Sequence, residues 1–154
     1  MRKGLLFMKE ALKEAKIALE KEEIPVGAIV VFKNKIIARA YNQVELLNDA
    51  TAHAEMIALT QAMNFFRSKW LKDCTLYVTL EPCLMCATAL VLSRIDKVVF
   101  GAYDERWGAF GSKIDINGLR FNHKIKFKGG ILEEESANLI KEFFKKKRKK
   151  KDEV

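Results

Sequence analysis

Three cysteines, two prolines and eight glycines are all that 154 residues contain, and each scarcity excludes something. Three cysteines are too few, and the wrong parity, for a disulfide framework; they suit a reducing cytosol. So little proline and glycine excludes a low-complexity or collagen-like chain. No internal repeat is visible. No apolar run reaches the roughly 20 residues of a membrane-spanning helix. The early run Gly4-Leu5-Leu6-Phe7-Met8 is cut by Lys9 and Glu10, with no small-residue cleavage site after it, so it does not read as a secretory signal. The expectation is a soluble, cytoplasmic protein with no membrane partner.

What is present is a hydrophobic fraction of 49%, enough for the core of one ordinary domain. The net charge is +8 and is unevenly placed. Residues 145–151 are seven consecutive cations, offset by Asp152 and Glu153, so residues 1–144 carry only +3. The chain therefore divides into a body, 1–144, and a basic C-terminal tail, 145–154. A cationic tail fits a polyanion such as nucleic acid. Charge alone fits a frayed, solvated tail equally well.

Leu5, Met8, Leu12, Ala15 and Leu19 recur at helical spacing, and Glu22-Glu23-Ile24-Pro25 ends that helix. Residues 26–32 and 36–41 read as strands of a hairpin around Lys33-Asn34-Lys35. Residues 42–51 read as a loop. Thr51 is the expected N-cap of a helix reaching about Phe66. Residues 76–80 form a third strand, and Pro82 is expected as the first residue of a helix running to about Ser93. Lys97–Ala102 is a fourth strand and 125–127 a short fifth. A last helix spans Glu133 to about Lys146. Alternating helices and strands predict a layered α/β domain around one mixed sheet.

Within this frame stand His53-Ala54-Glu55 and Pro82-Cys83-Leu84-Met85-Cys86. Zinc accepts imidazole nitrogen and thiolate sulfur in tetrahedral geometry, and three protein ligands leave a fourth position for water. Cysteines at i and i+3 on one helical turn reach the same ion. A helix start favours the thiolate that the metal needs. Glu55, two residues after His53, is placed to take a proton from the activated water and return it to substrate. The expectation is one catalytic Zn2+ per subunit, held by His53, Cys83 and Cys86, with Glu55 as the acid/base. Cys-x-x-Cys alone also suits a redox pair, and His-x-Glu alone is common by chance. Cys74 has no partner motif and reads as a packed thiol.

The paired motifs match the signature of zinc-dependent base deaminases. The chain resembles the cytidine deaminase-like superfamily and, more closely, bacterial tRNA-specific adenosine deaminases. The resemblance covers almost the whole chain. It rests on Ile24-Pro25-Val26-Gly27-Ala28, Asn42, Thr51-Ala52-His53-Ala54-Glu55 and residues 79–86. Ser93-Arg94-Ile95, residues 98–102, Asn122-His123 and Phe143-Phe144 extend it. It implies a three-layer α-β-α fold with a five-stranded mixed sheet, in a homodimer. It implies conversion of the wobble adenosine of a tRNA anticodon stem-loop to inosine, by attack of zinc-bound hydroxide at C6. Glu55 would carry the proton to N1 and then to the departing ammonia.

The resemblance further implies that Asn42 hydrogen-bonds the target base and that the Ala54 backbone holds the attacked group. Asp104 aligns with a position near the RNA, and Phe144 is a candidate for stacking on an exposed base, whereas Phe143 is more core-like. Lys113 and Arg120 are further RNA candidates; His123 reads as structural. Two departures are visible: Asp49-Ala50 where the family commonly has Asp-Pro, and Ala87-Thr88-Ala89 where it often has Ala-Gly-Ala. Two other readings are a deaminase of small purines and a non-catalytic, zinc-stabilised RNA-binding module.

Overall fold

A computed structural model describes residues 2–152. Helix α1 (Arg2–Glu20) leads into a hairpin of β1 (Gly27–Phe32) and β2 (Lys35–Tyr41). A one-turn helix, α2 (Val44–Leu47), precedes α3 (Ala54–Phe66), β3 (Cys74–Leu80) and α4 (Leu84–Leu92). Then follow β4 (Lys97–Ala102), a 3-10 turn (Ile116–Leu119), β5 (Lys126–Lys128) and α5 (Glu133–Asp152).

The strands form one sheet in the order β2-β1-β3-β4-β5. β1 pairs antiparallel with β2 and β3, whereas β3–β4 and β4–β5 are parallel, so the sheet is mixed. Side chains alternate across it, as the two-residue period of a strand requires. Leu76, Val78, Val98 and Phe100 pack with Ala58, Leu59 and Leu90 of α3 and α4. Tyr77 and Val99 face the other way, against Met8 and Ala11 of α1. Helices thus cover both faces, which gives the expected three layers.

Close packing of α1 on β1 depends on Gly27. A Cβ there would lie 2.1 Å from the Ala11 carbonyl oxygen and 2.4 Å from the Ala15 nitrogen. That is far inside any real contact distance, so only glycine allows the helix to sit this low. The first layer is thereby locked to β1 at the point where Gly27 pairs with Tyr41, the residue before Asn42.

Several local expectations are corrected. Thr51 does not cap α3. Its N–H and hydroxyl both donate to Asp49 Oδ1, at 2.8 and 2.7 Å, which uses Thr51 in a turn and moves the helix start to Ala54 with His53 at the N-cap. Pro82 is not the first residue of α4, which begins at Leu84 with Cys83 at the N-cap. The loop expected over 42–51 contains α2. Finally, α5 does not end near Lys146: it continues as helix to Asp152, through most of the basic segment. Residues 153 and 154 of that segment lie outside the described residues. Among the described residues, no helix is long and apolar enough to cross a membrane.

Candidate active site

The site forms where β3 ends and two helices begin. His53 arrives from the loop before α3, and Cys83 from the β3–α4 junction; each is an N-cap residue. Cys86 lies in the first turn of α4 and is fully buried. The three ligand atoms lie within 4.8 Å of one another. His53 Nδ1 stands 3.6 Å from Cys83 Sγ and 3.5 Å from Cys86 Sγ. One imidazole and two thiols facing one point make a site able to hold a metal ion.

The protonation states follow from these contacts. The hydrogen bond from Cys86 holds the Cys83 thiol down to about 4, against the opposing effect of burial, and His53 adds to the lowering. Cys86, donating that bond and deeply buried, is pushed well up. The contact with Cys83 raises His53. Cys83 is thus poised as a thiolate, whereas Cys86 and His53 keep their protons until a cation displaces them.

Glu55 is the second residue of α3 and only 4% exposed. Burial raises its carboxyl to about 7, with its own backbone N–H and the nearby His53 pulling the other way. Its carboxyl also reaches the Cys86 sulfur. A carboxyl balanced near neutrality can both accept and release a proton, which is what acid/base work at pH 7 demands.

His53, Cys83 and Glu55 form the floor of a cavity of about 460 Å³, within the range that holds a small ligand. Asn42, Ala54, Leu84, Asp104 and Trp107 line it. Asn42 is buried; its Nδ2 donates to the Ile24 carbonyl at 3.2 Å, while its Oδ1 has no partner among the described residues. Ala54 is the first residue of α3, where backbone N–H groups lack intrahelical acceptors. The Asp104 carboxylate accepts the N–H groups of Arg106 and Trp107, each at 3.1 Å, and so shapes its own loop.

Beyond Asn42, Ala50 and His53 the cavity opens into a groove of about 900 Å³. One wall carries Glu20, Glu22 and Glu45, and the other Lys146, Lys147, Lys149 and Lys150 of α5. Lys150 pairs with Glu22 across it. Phe143 is nearly buried and lines the groove; Phe144 is 41% exposed.

Other candidates fall elsewhere. Lys113 and Arg120 are exposed and line neither cavity. The His123 ring lies 2.7 Å from the Ile95 carbonyl oxygen, a structural bond. Cys74 is wholly buried in the core, and burial raises its thiol to about 11. Thr88 turns its hydroxyl back to the Leu84 carbonyl within α4.

Sequence reasoning passed over three buried glutamates, Glu14 on α1 and two that brace the site's loops. Glu23 accepts the N–H groups of Glu45 and Leu46, at 3.0 and 2.7 Å, and so fixes the N-terminus of α2. Glu81, 2% exposed, accepts bonds from three backbone N–H groups and one hydroxyl of residues 104–112. The available signal was the position of Glu81: a charge closing an otherwise apolar strand, directly before Pro-Cys.

Comparison with known proteins agrees with this architecture. The MafB19-like deaminase pattern matches residues 4–148. A tRNA-specific adenosine deaminase from Aquifex aeolicus is 52% identical over 143 residues, covering 92% of this chain and 94% of that one. Its counterpart from Bacillus subtilis is 49% identical over 147 residues, covering 95% and 91%. A solved structure from a study of A-to-I editing by tRNA:A34 deaminases superposes with a TM-score of 0.80 at 38% identity, covering 86% of this chain and 97% of the other. With nearly its whole length matched, this chain belongs to the MafB19-like deaminase family, together with the bacterial tRNA-specific adenosine deaminases.

Proposed function

We propose that the chain hydrolyses adenosine to inosine at the wobble position of a tRNA anticodon, using one zinc ion per subunit. The observation that carries this reading is the cluster of His53, Cys83 and Cys86 beside buried Glu55, at the floor of a cavity that opens into a groove with lysines along one wall.

The donor set fits zinc. Zn–S bonds of about 2.3 Å and Zn–N bonds of about 2.0 Å give tetrahedral S···N edges of about 3.5 Å. The two observed separations are 3.6 and 3.5 Å. Zinc held there supplies the Lewis acidity that makes a water nucleophilic near neutral pH.

The remaining work belongs to the chain. Glu55, raised to about 7, takes the proton that the attacking water loses and places it on N1 of the base. Glu55 then moves the proton of the hydroxyl added at C6 to the exocyclic nitrogen, which leaves as ammonia while the C6 carbonyl forms. The unpartnered Asn42 Oδ1 is the acceptor offered to the base, and the free N–H at the start of α3 supports the reacting group at Ala54. Asp104 holds the opposite wall.

A base in an anticodon loop is already out of a duplex, so entry to the cavity costs little unstacking. The lysines of α5 face the flanking phosphates, and exposed Phe144 offers a stacking surface. Residues 1–144 thus act as the deaminase body and 145–154 as its RNA-facing extension. Leu84 and Leu92, two turns apart on α4 and both exposed, support a homodimer packed through that helix. Thiolate ligands suit a cytoplasmic, reducing setting.

Mass spectrometry of an anticodon stem-loop before and after incubation with zinc-loaded protein tests the reading. Replacement of one amine by a carbonyl oxygen is the expected change. An unchanged RNA with zinc bound overturns it, and turnover of free guanine or adenosine instead would favour a small-purine deaminase.

A further inference from the structure

Glu81 follows β3, directly precedes Pro82-Cys83 and lines the cavity itself. Its carboxylate is bonded to the loop that carries the cavity's far wall. Oε1 accepts the Asp104 N–H at 3.0 Å and the Ser112 hydroxyl; Oε2 accepts the Phe110 N–H at 2.9 Å and the Ser112 N–H at 3.2 Å. One buried group therefore grips both ends of the 104–112 loop. Asp104, at one of those ends, and Trp107, between them, line the cavity.

The ligand junction has other supports. The Ala109 N–H donates to the Pro82 carbonyl at 2.9 Å, and the Ala87 N–H donates to the Cys83 carbonyl at 2.8 Å. Gly108 is held as well: its carbonyl accepts the Lys113 and Ile114 N–H groups, and it pairs with Cys83 as an isolated bridge. Residues 104–107 have fewer supports: the turn bond from the Gly108 N–H to the Asp104 carbonyl, and bonds made by the Asp104 side chain to its own loop. Loss of the carboxylate would thus release the wall before it disturbs the metal ligands. Packing agrees. A Cβ at Gly108 would lie 2.3 and 2.4 Å from the Glu81 carboxylate atoms and 2.5 Å from the Asp104 carbonyl, so glycine is needed for the loop to close on the clamp.

We propose that Glu81 is a positioning residue that holds Asp104 and Trp107 over the cavity and so sets affinity for the RNA rather than the rate of the chemical step. This rests on the tRNA deaminase reading above. Glu81→Gln is the informative variant. An amide nitrogen in place of Oε1 can still be met by the Ser112 hydroxyl turning to accept, but it faces the Asp104 N–H donor to donor. The Asp104 end is freed while the Phe110 end stays bonded.

The experiment uses the zinc-loaded full chain in a Trp70→Phe background, where Trp107 is the remaining tryptophan of two. E81Q is expected to lower the fluorescence anisotropy of Trp107 and raise KM for the stem-loop about tenfold, the scale of one lost buried hydrogen bond. The value of kcat should stay within about twofold and zinc at one per chain. Gly108→Ala should reproduce the pattern, and it provides the test if E81Q folds poorly. Unchanged Trp107 anisotropy, unchanged KM, or a fall in kcat that tracks lost zinc overturns the proposal. A parent protein that makes no inosine overturns the functional reading instead, while the anisotropy still reports on the clamp.

Discussion

The cavity floor and the end of α5 are both dense in functional groups, but they are built in opposite ways. On the floor, three ligand atoms and a carboxyl are half or fully buried, and each is fixed by a helix start or a neighbouring side chain. At the end of α5, seven consecutive cations surround the helix at exposed positions, with Lys150–Glu22 and Lys146–Glu142 as ion pairs between well-exposed side chains. The floor is over-determined and without redundancy. The basic end is redundant and loosely determined. The first arrangement suits chemistry, which tolerates no missing part; the second suits affinity, which sums over many weak contacts.

The sharpest way to break this comparison is at a ligand. Cys86→Ala should abolish both bound zinc, read by elemental analysis, and inosine formation; a variant that keeps either would remove the floor's claim to be indivisible. Next is Glu55→Ala. Zinc should remain, while kcat falls about 10²- to 10⁴-fold, the usual worth of a positioned acid/base. Parallel loss of metal would instead make Glu55 a structural prop.

Effects at the basic end should be graded. Replacing Lys146, Lys147, Lys149 and Lys150 with glutamine should weaken RNA binding and leave kcat alone. The slope of log K against log salt should flatten by up to about 3, at about 0.7 per contact to a single strand. An unchanged slope would mean that these lysines face solvent only. The smallest effect expected is on stability, from Glu14 in α1. Burial raises its carboxyl, and Arg39 offsets this only in part. With the folded value above the unfolded one, the fold loses stability as pH rises from the ordinary carboxylate range through the raised value. Glu14→Gln should therefore raise Tm by a degree or two at pH 7 and leave it unchanged near pH 4, where both side chains are neutral.

Legibility in the sequence follows the same division. The clustering of His53, Cys83 and Cys86 was legible because each half of the pattern is local: i, i+3 in one turn, and a histidine two residues from a glutamate. The central strands β1, β3 and β4 could be read because each is largely apolar, and Lys97–Ala102 appears in the structure at its expected limits. Helix starts were misplaced because a cap preference names a residue type but not its competitors; Asp49 had already taken both donors of Thr51. The continuation of α5 went unread because seven adjacent cations suggest repulsion, whereas three glutamates in the first turn and a packed Phe143 support that helix. The braces at Glu23 and Glu81 were invisible for a different reason. Their partners lie more than 20 residues away, and a backbone N–H leaves no mark on the sequence.

The meeting of Lys150 with Glu22 also has a practical reach. It brings the end of α5 to the carboxyl end of α1, at the mouth of the groove. The opposite end of α1 lies 19 residues back, about 28 Å away along the helix axis. An affinity tag or fused domain joined after α5 would hang over the entrance and compete with incoming RNA. The same appendage placed ahead of α1 starts a full helix length from that entrance, so the choice of terminus decides whether a purified fusion reports the enzyme or its obstruction.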